Sequence, residues 1–131
     1  MIKKIDHIGI NVLDLETAKR KFSEGLGLTL LKEEELGQWN CKIAFYDCGC
    51  VLIELIQPTG EGMAQTFIDE HGEGISHICY EVEDIHEAYE KTEKYFTVRS
   101  ETFKKGAGGS DVFFLEKDSI FQCDTEFVEL P

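Results

Sequence analysis

Residues 5–21 and 75–91 are two versions of one segment. Aligned without a gap at an offset of 70, IDHIGINVLDLETAKRK and ISHICYEVEDIHEAYEK share Ile5/Ile75, His7/His77, Ile8/Ile78, Val12/Val82, Asp14/Asp84, Ala18/Ala88 and Lys21/Lys91. Seven identities in 17 positions mark an internal duplication, which limits the fold more than any other feature of the chain. The ends of the halves also correspond: Val51-Leu52-Ile53-Glu54-Leu55 matches Glu126-Phe127-Val128-Glu129-Leu130. Each module is about half of 131 residues, too small to close a stable core alone. The expectation is one domain over 1–131, with module one about 1–58, a linker about 59–74 and module two about 75–131.

Periodicity fills in each module. Residues 5–12 alternate as a strand, with Ile8, Ile10 and Val12 on one face and His7, Gly9 and Asn11 on the other. Asp14 is placed to cap a helix over roughly 15–24, with Leu15, Ala18 and Phe22 at helical spacing. Gly25-Leu26-Gly27 ends it. The second half repeats this plan: a strand over 77–82, Asp84 as cap, Glu87 at the capping-box position, and Ile85, Ala88 and Tyr89 facing inward. Strand-like runs follow at Leu28–Lys32, Lys42–Asp47 and Cys50–Ile56, then at Thr97–Thr102, Asp111–Leu115 and Glu126–Leu130. A short helix is expected over Met63–Glu70 in the linker. The fold class is α+β: two tandem βαβββ modules whose curved sheets form a metal-holding cup.

The cup follows from the alternation. His7 and His77 lie opposite the helix-covered face of their strands. Glu54 shares a face with Leu52 and Ile56, and Glu129 shares one with Phe127. A carboxylate aimed at an apolar sheet face is costly to bury without a partner. Two imidazoles and two carboxylates as matched pairs are therefore read as one divalent-metal site, with His7, Glu54, His77 and Glu129 as ligands. Such nitrogen and oxygen ligands suit Co, Zn, Ni, Mn or Fe(II). Cys79 falls on the face of His77, and Asn11 on that of His7. His71 and His86 lack partners in the repeat and are read as solvent-facing.

Charge removes several partner classes. Thirteen Lys and Arg stand against 26 Asp and Glu, for a net charge of −13, and Arg occurs only at 20 and 99. Neither nucleic acid nor an anionic membrane surface is an expected partner. No apolar run approaches the ~20 residues needed to span a bilayer. The opening Met-Ile-Lys-Lys-Ile-Asp-His has no apolar stretch behind its lysines, and the five cysteines are odd in number, so a reducing cytoplasm is the expected location. An anionic ligand must be met locally, and Lys104-Lys105 beside Gly106-Ala107-Gly108-Gly109 is the segment suited to that.

The chain resembles the vicinal-oxygen-chelate superfamily, whose members build a metal-holding cup from paired βαβββ modules. Within it the closest likeness is to methylmalonyl-CoA epimerases. The resemblance rests on Asp6-His7-Ile8-Gly9-Ile10, on Ile53 to Glu61, on Gly72-Glu73-Gly74-Ile75-Ser76-His77-Ile78, on Glu81 to Ile85 and on the Gly106–Gly109 turn. Glyoxalase I is similar at the four ligand positions. The resemblance implies metal binding by His7, Glu54, His77 and Glu129. The epimerases often carry Gln where this chain has Glu54. Their catalytic Glu falls in register on Gln38, just after Glu33, Glu34 and Glu35, and their His-Pro-Lys before the last strand is replaced by Glu116–Thr125.

These residues suit removal of a proton next to a carbonyl, with one divalent ion (Co, Zn, Ni or Mn) spreading the enolate charge. Glu129 is the first candidate base and Glu54 the second. Candidate substrate contacts are Asn11, Gln38, Cys79, Lys104, Lys105, Gly108 and Gly109. The expectation is an isomerase or epimerase acting as a homodimer on a small molecule, a CoA or other thioester or a thiol adduct. Alternatives are a glyoxalase I-type lyase, a non-heme Fe(II) dioxygenase and a non-catalytic binding protein.

Overall fold

Both halves build the βαβββ order that the repeat implies. A computed structural model describes residues 1–99 and 103–131 and shows a mixed α+β chain. Its labelled elements are β1 (Ile2–Asn11), α1 (Leu15–Arg20), β2 (Thr29–Leu36), β3 (Cys41–Cys48), β4 (Val51–Pro58), α2 (Met63–His71), β5 (Gly74–Val82), α3 (Ile85–Thr92), β6 (Lys104–Lys105), β7 (Asp111–Leu115) and β8 (Asp124–Glu129). Two compact units result: His7–Ser76, and Met1–Asp6 with His77–Pro131. The first residues of the chain thus belong with the second module. There Lys3 pairs with Glu81 at 3.2 Å, and Glu83 donates its N–H to the Met1 carbonyl. Among the described residues no helix is long and apolar enough to cross a membrane.

In the unit His7–Ser76 the strand order is β2-β3-β4-β1, with β1 and β4 parallel and the other pairs antiparallel. One face is apolar because every second residue is: Ala44, Tyr46 and Leu55 are fully buried and pack with Val12, Leu15 and Ala18. Asp14 caps α1 through the Glu16 N–H. After Arg20 the helix widens into a π turn over Lys21–Gly25, near the expected end. Tyr46 reaches through the core to donate to the Lys19 carbonyl at 3.1 Å.

The other unit repeats the scheme with strand order β5-β8-β7-β6. Its core joins Val82, Ile85, Ala88, Phe113, Leu115 and Phe127, with Phe113 and Phe127 stacked at 4.8 Å. Asp84 caps α3 through the His86 and Glu87 N–H groups. Glu87 reaches Lys91 at 2.8 Å, so the expected capping box is replaced by a pairing one turn along the helix. The strand expected at Thr97–Thr102 is reduced to a single bridge between Val98 and Leu115, and residues 100–102 lie outside those described. The last strand begins at Asp124, two residues before its expected start.

Phe113 is fully buried among aromatic neighbours. Phe113→Ala is expected to cost about 3–5 kcal/mol. A urea melt that places the variant within 1 kcal/mol of the wild type, as an order of magnitude, would contradict this packing.

Candidate functional site

Strand pairing decides which side chains share the face away from the helix. In the first unit Gly9 lies opposite Glu54 and Asn11 opposite Ile56, while Glu54 lies opposite Phe45 on its other side. Residues in register point to the same face, so His7, Asn11, Glu54 and Phe45 share one side of the sheet. His7 Nε2 stands 3.2 Å from Glu54 Oε1, and the imidazole meets the Phe45 ring edge-on at 5.3 Å.

The second unit reproduces this arrangement. Cys79 lies opposite Glu126, and Glu126 opposite Phe114. His77 Nε2 stands 3.2 Å from Glu126 Oε1, with its ring edge-on to Phe114 at 6.1 Å. All four polar side chains are only 5–9% exposed. Carboxylates this deeply buried need a cationic or hydrogen-bonding partner. Each has an imidazole.

The carboxylate beside His77 is therefore Glu126, and the expectation for Glu129 is corrected. Glu129 is odd-numbered on β8 and points to the face of Phe127, which is the helix-packed core face. Its Oε1 accepts the Ile85 N–H at 2.9 Å, at the start of α3. That contact also has a twin: Gln57 Oε1 accepts the Leu15 N–H at 2.8 Å, at the start of α1. Glu54 thus corresponds to Glu126, and Gln57 to Glu129, three residues away from the ungapped match made between the strand ends. The signal was present in the sequence, because Phe127 alternates with Glu126, not with Glu129.

The remaining candidates are spread out. Asn11 is 2% exposed, and its Oδ1 has no hydrogen-bond partner among the described residues. Gln38 sits in an exposed 3₁₀ turn, Gly37–Trp39. Cys79 is fully buried on the face of His77 and Glu126. Lys104 and Lys105 form β6, and the Lys105 ammonium is bound to Asp111. In the glycine turn, the Gly109 N–H is given to the Gly106 carbonyl and the Gly106 N–H to the Ser110 carbonyl. Those two donors close the turn itself. A Cβ on Gly106 would meet Val112 Cγ1 at 2.9 Å and Glu126 Oε2 at 3.8 Å, so this turn packs against the buried carboxylate. Gly108 and Gly109 hold φ of +66° and +77°, values that favour glycine.

Sequence reading passed over Lys32 as a site residue. Register places Lys32 opposite Phe45 and Glu34 opposite Ile43, on the His7 and Glu54 face. The Lys32 ammonium lies 5.5 Å from the Phe45 ring centroid and 3.8 Å from Glu34 Oε1. Glu33 points the other way and pairs with Lys19 of α1, raising the Lys19 pKa above its ordinary value, with Glu16 adding to the effect. On β8, Asp124 lies opposite His77, and burial pushes its carboxyl pKa upward against the pull of Arg99, Lys117 and His77.

Residues 6–114 match the model of the Glyoxalase/Bleomycin resistance protein/Dioxygenase superfamily. The chain belongs to that superfamily. An ethylmalonyl-CoA/methylmalonyl-CoA epimerase of Cereibacter sphaeroides is 31% identical over 134 residues, covering 99% of this chain and all of the relative. Among solved structures, a hypothetical protein from Bacillus halodurans superposes with a TM-score of 0.92 at 35% identity, covering 98% of this chain and 94% of that one. Methylmalonyl-CoA epimerase from Mycobacterium tuberculosis gives 0.91 at 25% identity, covering 99% and 89%. The superfamily fold is thus present along nearly the whole chain, and epimerases are among its relatives.

Glu129 needs only an acceptor oxygen to hold the start of α3. Glu129→Gln is expected to leave stability within about 0.5 kcal/mol, whereas Glu129→Ala loses about 1 kcal/mol. Thermal melts of both variants check this, and equal losses would refute the capping role.

Proposed function

We propose that this chain is a divalent-metal-dependent epimerase that moves the proton next to the carbonyl of a methylmalonyl-CoA-like thioester. The observation that carries the proposal is the duplicated pair, His7 with Glu54 and His77 with Glu126, each buried and each at 3.2 Å. A donor set of two imidazoles and two carboxylates fits Co, Zn, Ni or Mn. These four residues would hold the ion, which would polarise the carbonyl and spread the charge of the enolate. The relatedness to epimerases along the whole chain supports the substrate class.

The chain's own residues supply the proton chemistry. Two-base epimerisation needs a group that takes the proton on one side of the reacting carbon and a group that returns one on the other. Glu34 and Glu54 project from the same face of one sheet. The role first given to Glu129 passes to Glu126, which stands beside His77, whereas Glu129 is bound to the Ile85 N–H. Glu34 is assigned as its partner, because Glu33 is turned to α1 and occupied by Lys19. Lys32, beside Glu34 and over Phe45, is placed to meet the anionic end of the substrate in a protein of net charge −13. A homodimer in the cytoplasm belongs to the same reading. Glyoxalase I-type chemistry is the second reading, favoured by the carboxylate at Glu54.

The expected result is α-deuterium incorporation into methylmalonyl-CoA in D₂O by metal-loaded protein, abolished by chelation and restored by adding the ion back. Glu34→Gln should lower exchange about 10²–10⁴-fold with metal content unchanged, whereas Glu126→Gln should lower both. Elemental analysis and NMR-detected exchange read these out. Exchange unaffected by chelation would reject the metal, and lactoyl-thiol formation without exchange would select the second reading.

A further inference from the structure

We infer that Asn11 is a specificity residue whose side-chain oxygen accepts the first amide N–H of the thioester's pantetheine arm; this rests on the epimerase reading above. Asn11 is 2% exposed on the face shared by His7 and Glu54, and its Oδ1 finds no partner among the described residues. A buried amide oxygen left unpaired is destabilising. The position does not demand this in every copy of the repeat. Its counterpart in the second module, Glu81, is paired with Lys3 at 3.2 Å.

The chemistry of an acceptor then narrows the ligand. Oδ1 takes a donor. The acyl end of a malonyl-type thioester offers carbonyl and carboxylate oxygens, none of which donates at neutral pH. The first donor along the molecule is the amide N–H two carbons beyond the sulfur. Asn11 stands two residues along β1 from Gly9, the residue opposite Glu54. That is a rise of about 6.6 Å, comparable with the roughly 5–6 Å from thioester oxygen to amide nitrogen given ordinary bond lengths. Gly9 has no side chain to fill the interval.

The test compares two methylmalonyl thioesters in D₂O: an N-acetylcysteamine thioester, which carries the amide, and an S-pentyl thioester, which does not. Wild-type protein is expected to show a KM about 3- to 10-fold lower for the amide form at similar kcat, the range of one net hydrogen bond. Asn11→Leu should equalise the two KM values and, in the free protein, raise Tm by a few degrees because an unpaired polar group is gone. Asn11→Ala should equalise them as well and keeps the test valid if Leu cannot be housed. If wild type exchanges both thioesters with equal KM, or the variants keep its preference, the inference is overturned while the epimerase reading stands. If wild type exchanges neither thioester, the epimerase reading falls and takes the inference with it.

Discussion

The parallel pairing of the first and last strand in each module is the constraint on which the other features depend. Gly9 opposite Glu54, and Cys79 opposite Glu126, fix the face to which every neighbouring side chain points. The even-numbered acids then turn toward the imidazoles. Three residues on, Gln57 and Glu129 turn the opposite way and bind the first N–H of their helices at 2.8 and 2.9 Å. One register thus places an acid–imidazole pair on one side and a helix anchor on the other. A slip of one residue would put Glu54 into the packing of Leu15, Ala18 and Tyr46 and expose Leu55, so the core enforces the site's geometry.

Burial makes the paired arrangement consequential. Each carboxylate sits between its imidazole and a phenylalanine on the next strand, with little water to screen it. The low-dielectric surroundings strengthen attraction to any cation and raise the cost of leaving the acid alone. Asp124 shows the same pressure at a half-buried position, where desolvation is the largest cause pushing its pKa upward, with the nearby Glu116 carboxylate adding to it. Meanwhile the chain's acidity puts a premium on local positive charge near an anionic substrate. In the proposed reading Lys32, held against the Phe45 ring, takes that part. In the Gly106 turn the N–H groups of Gly106 and Gly109 are used internally, and the backbone lies close to Glu126.

Much of this was legible in the residues. The duplication dictated the βαβββ order, the aspartate caps and the first His–Glu pair, because those depend on local alternation and on an ungapped offset of 70. The last strands escaped because the offset there is 72: Glu54 to Glu126 and Gln57 to Glu129. An ungapped comparison of five residues favoured the Glu-Leu ending at 54–55 and 129–130 over the structural register. Phe127 held the correction, since a large aromatic among Val82, Ile85 and Phe113 marks the core face. Lys32 was missed for a different reason. Its role depends on β2 running on to Leu36, and the bulge between Leu30 and Lys32 resets which residues of that strand share a face.

The places where the two modules differ say as much as the places where they agree. Gln57 and Glu129 are interchangeable as caps, because the helix start asks only for an acceptor oxygen. On the opposite face the copies have diverged where a ligand would touch them: Gly9 against Cys79, and Asn11 against Glu81. The first module leaves an interval and an uncharged amide beside its acid–imidazole pair. The second fills the same interval with a buried thiol and ties the next position to Lys3. A symmetric ligand cage needs no such divergence, whereas the thioester proposed here, with an acid at one end and a long polar arm at the other, does. Under the proposed reading, sameness retained in the two His–Glu pairs and difference acquired around them is the pattern expected of a duplicated shell that holds one ion but receives an unsymmetrical substrate.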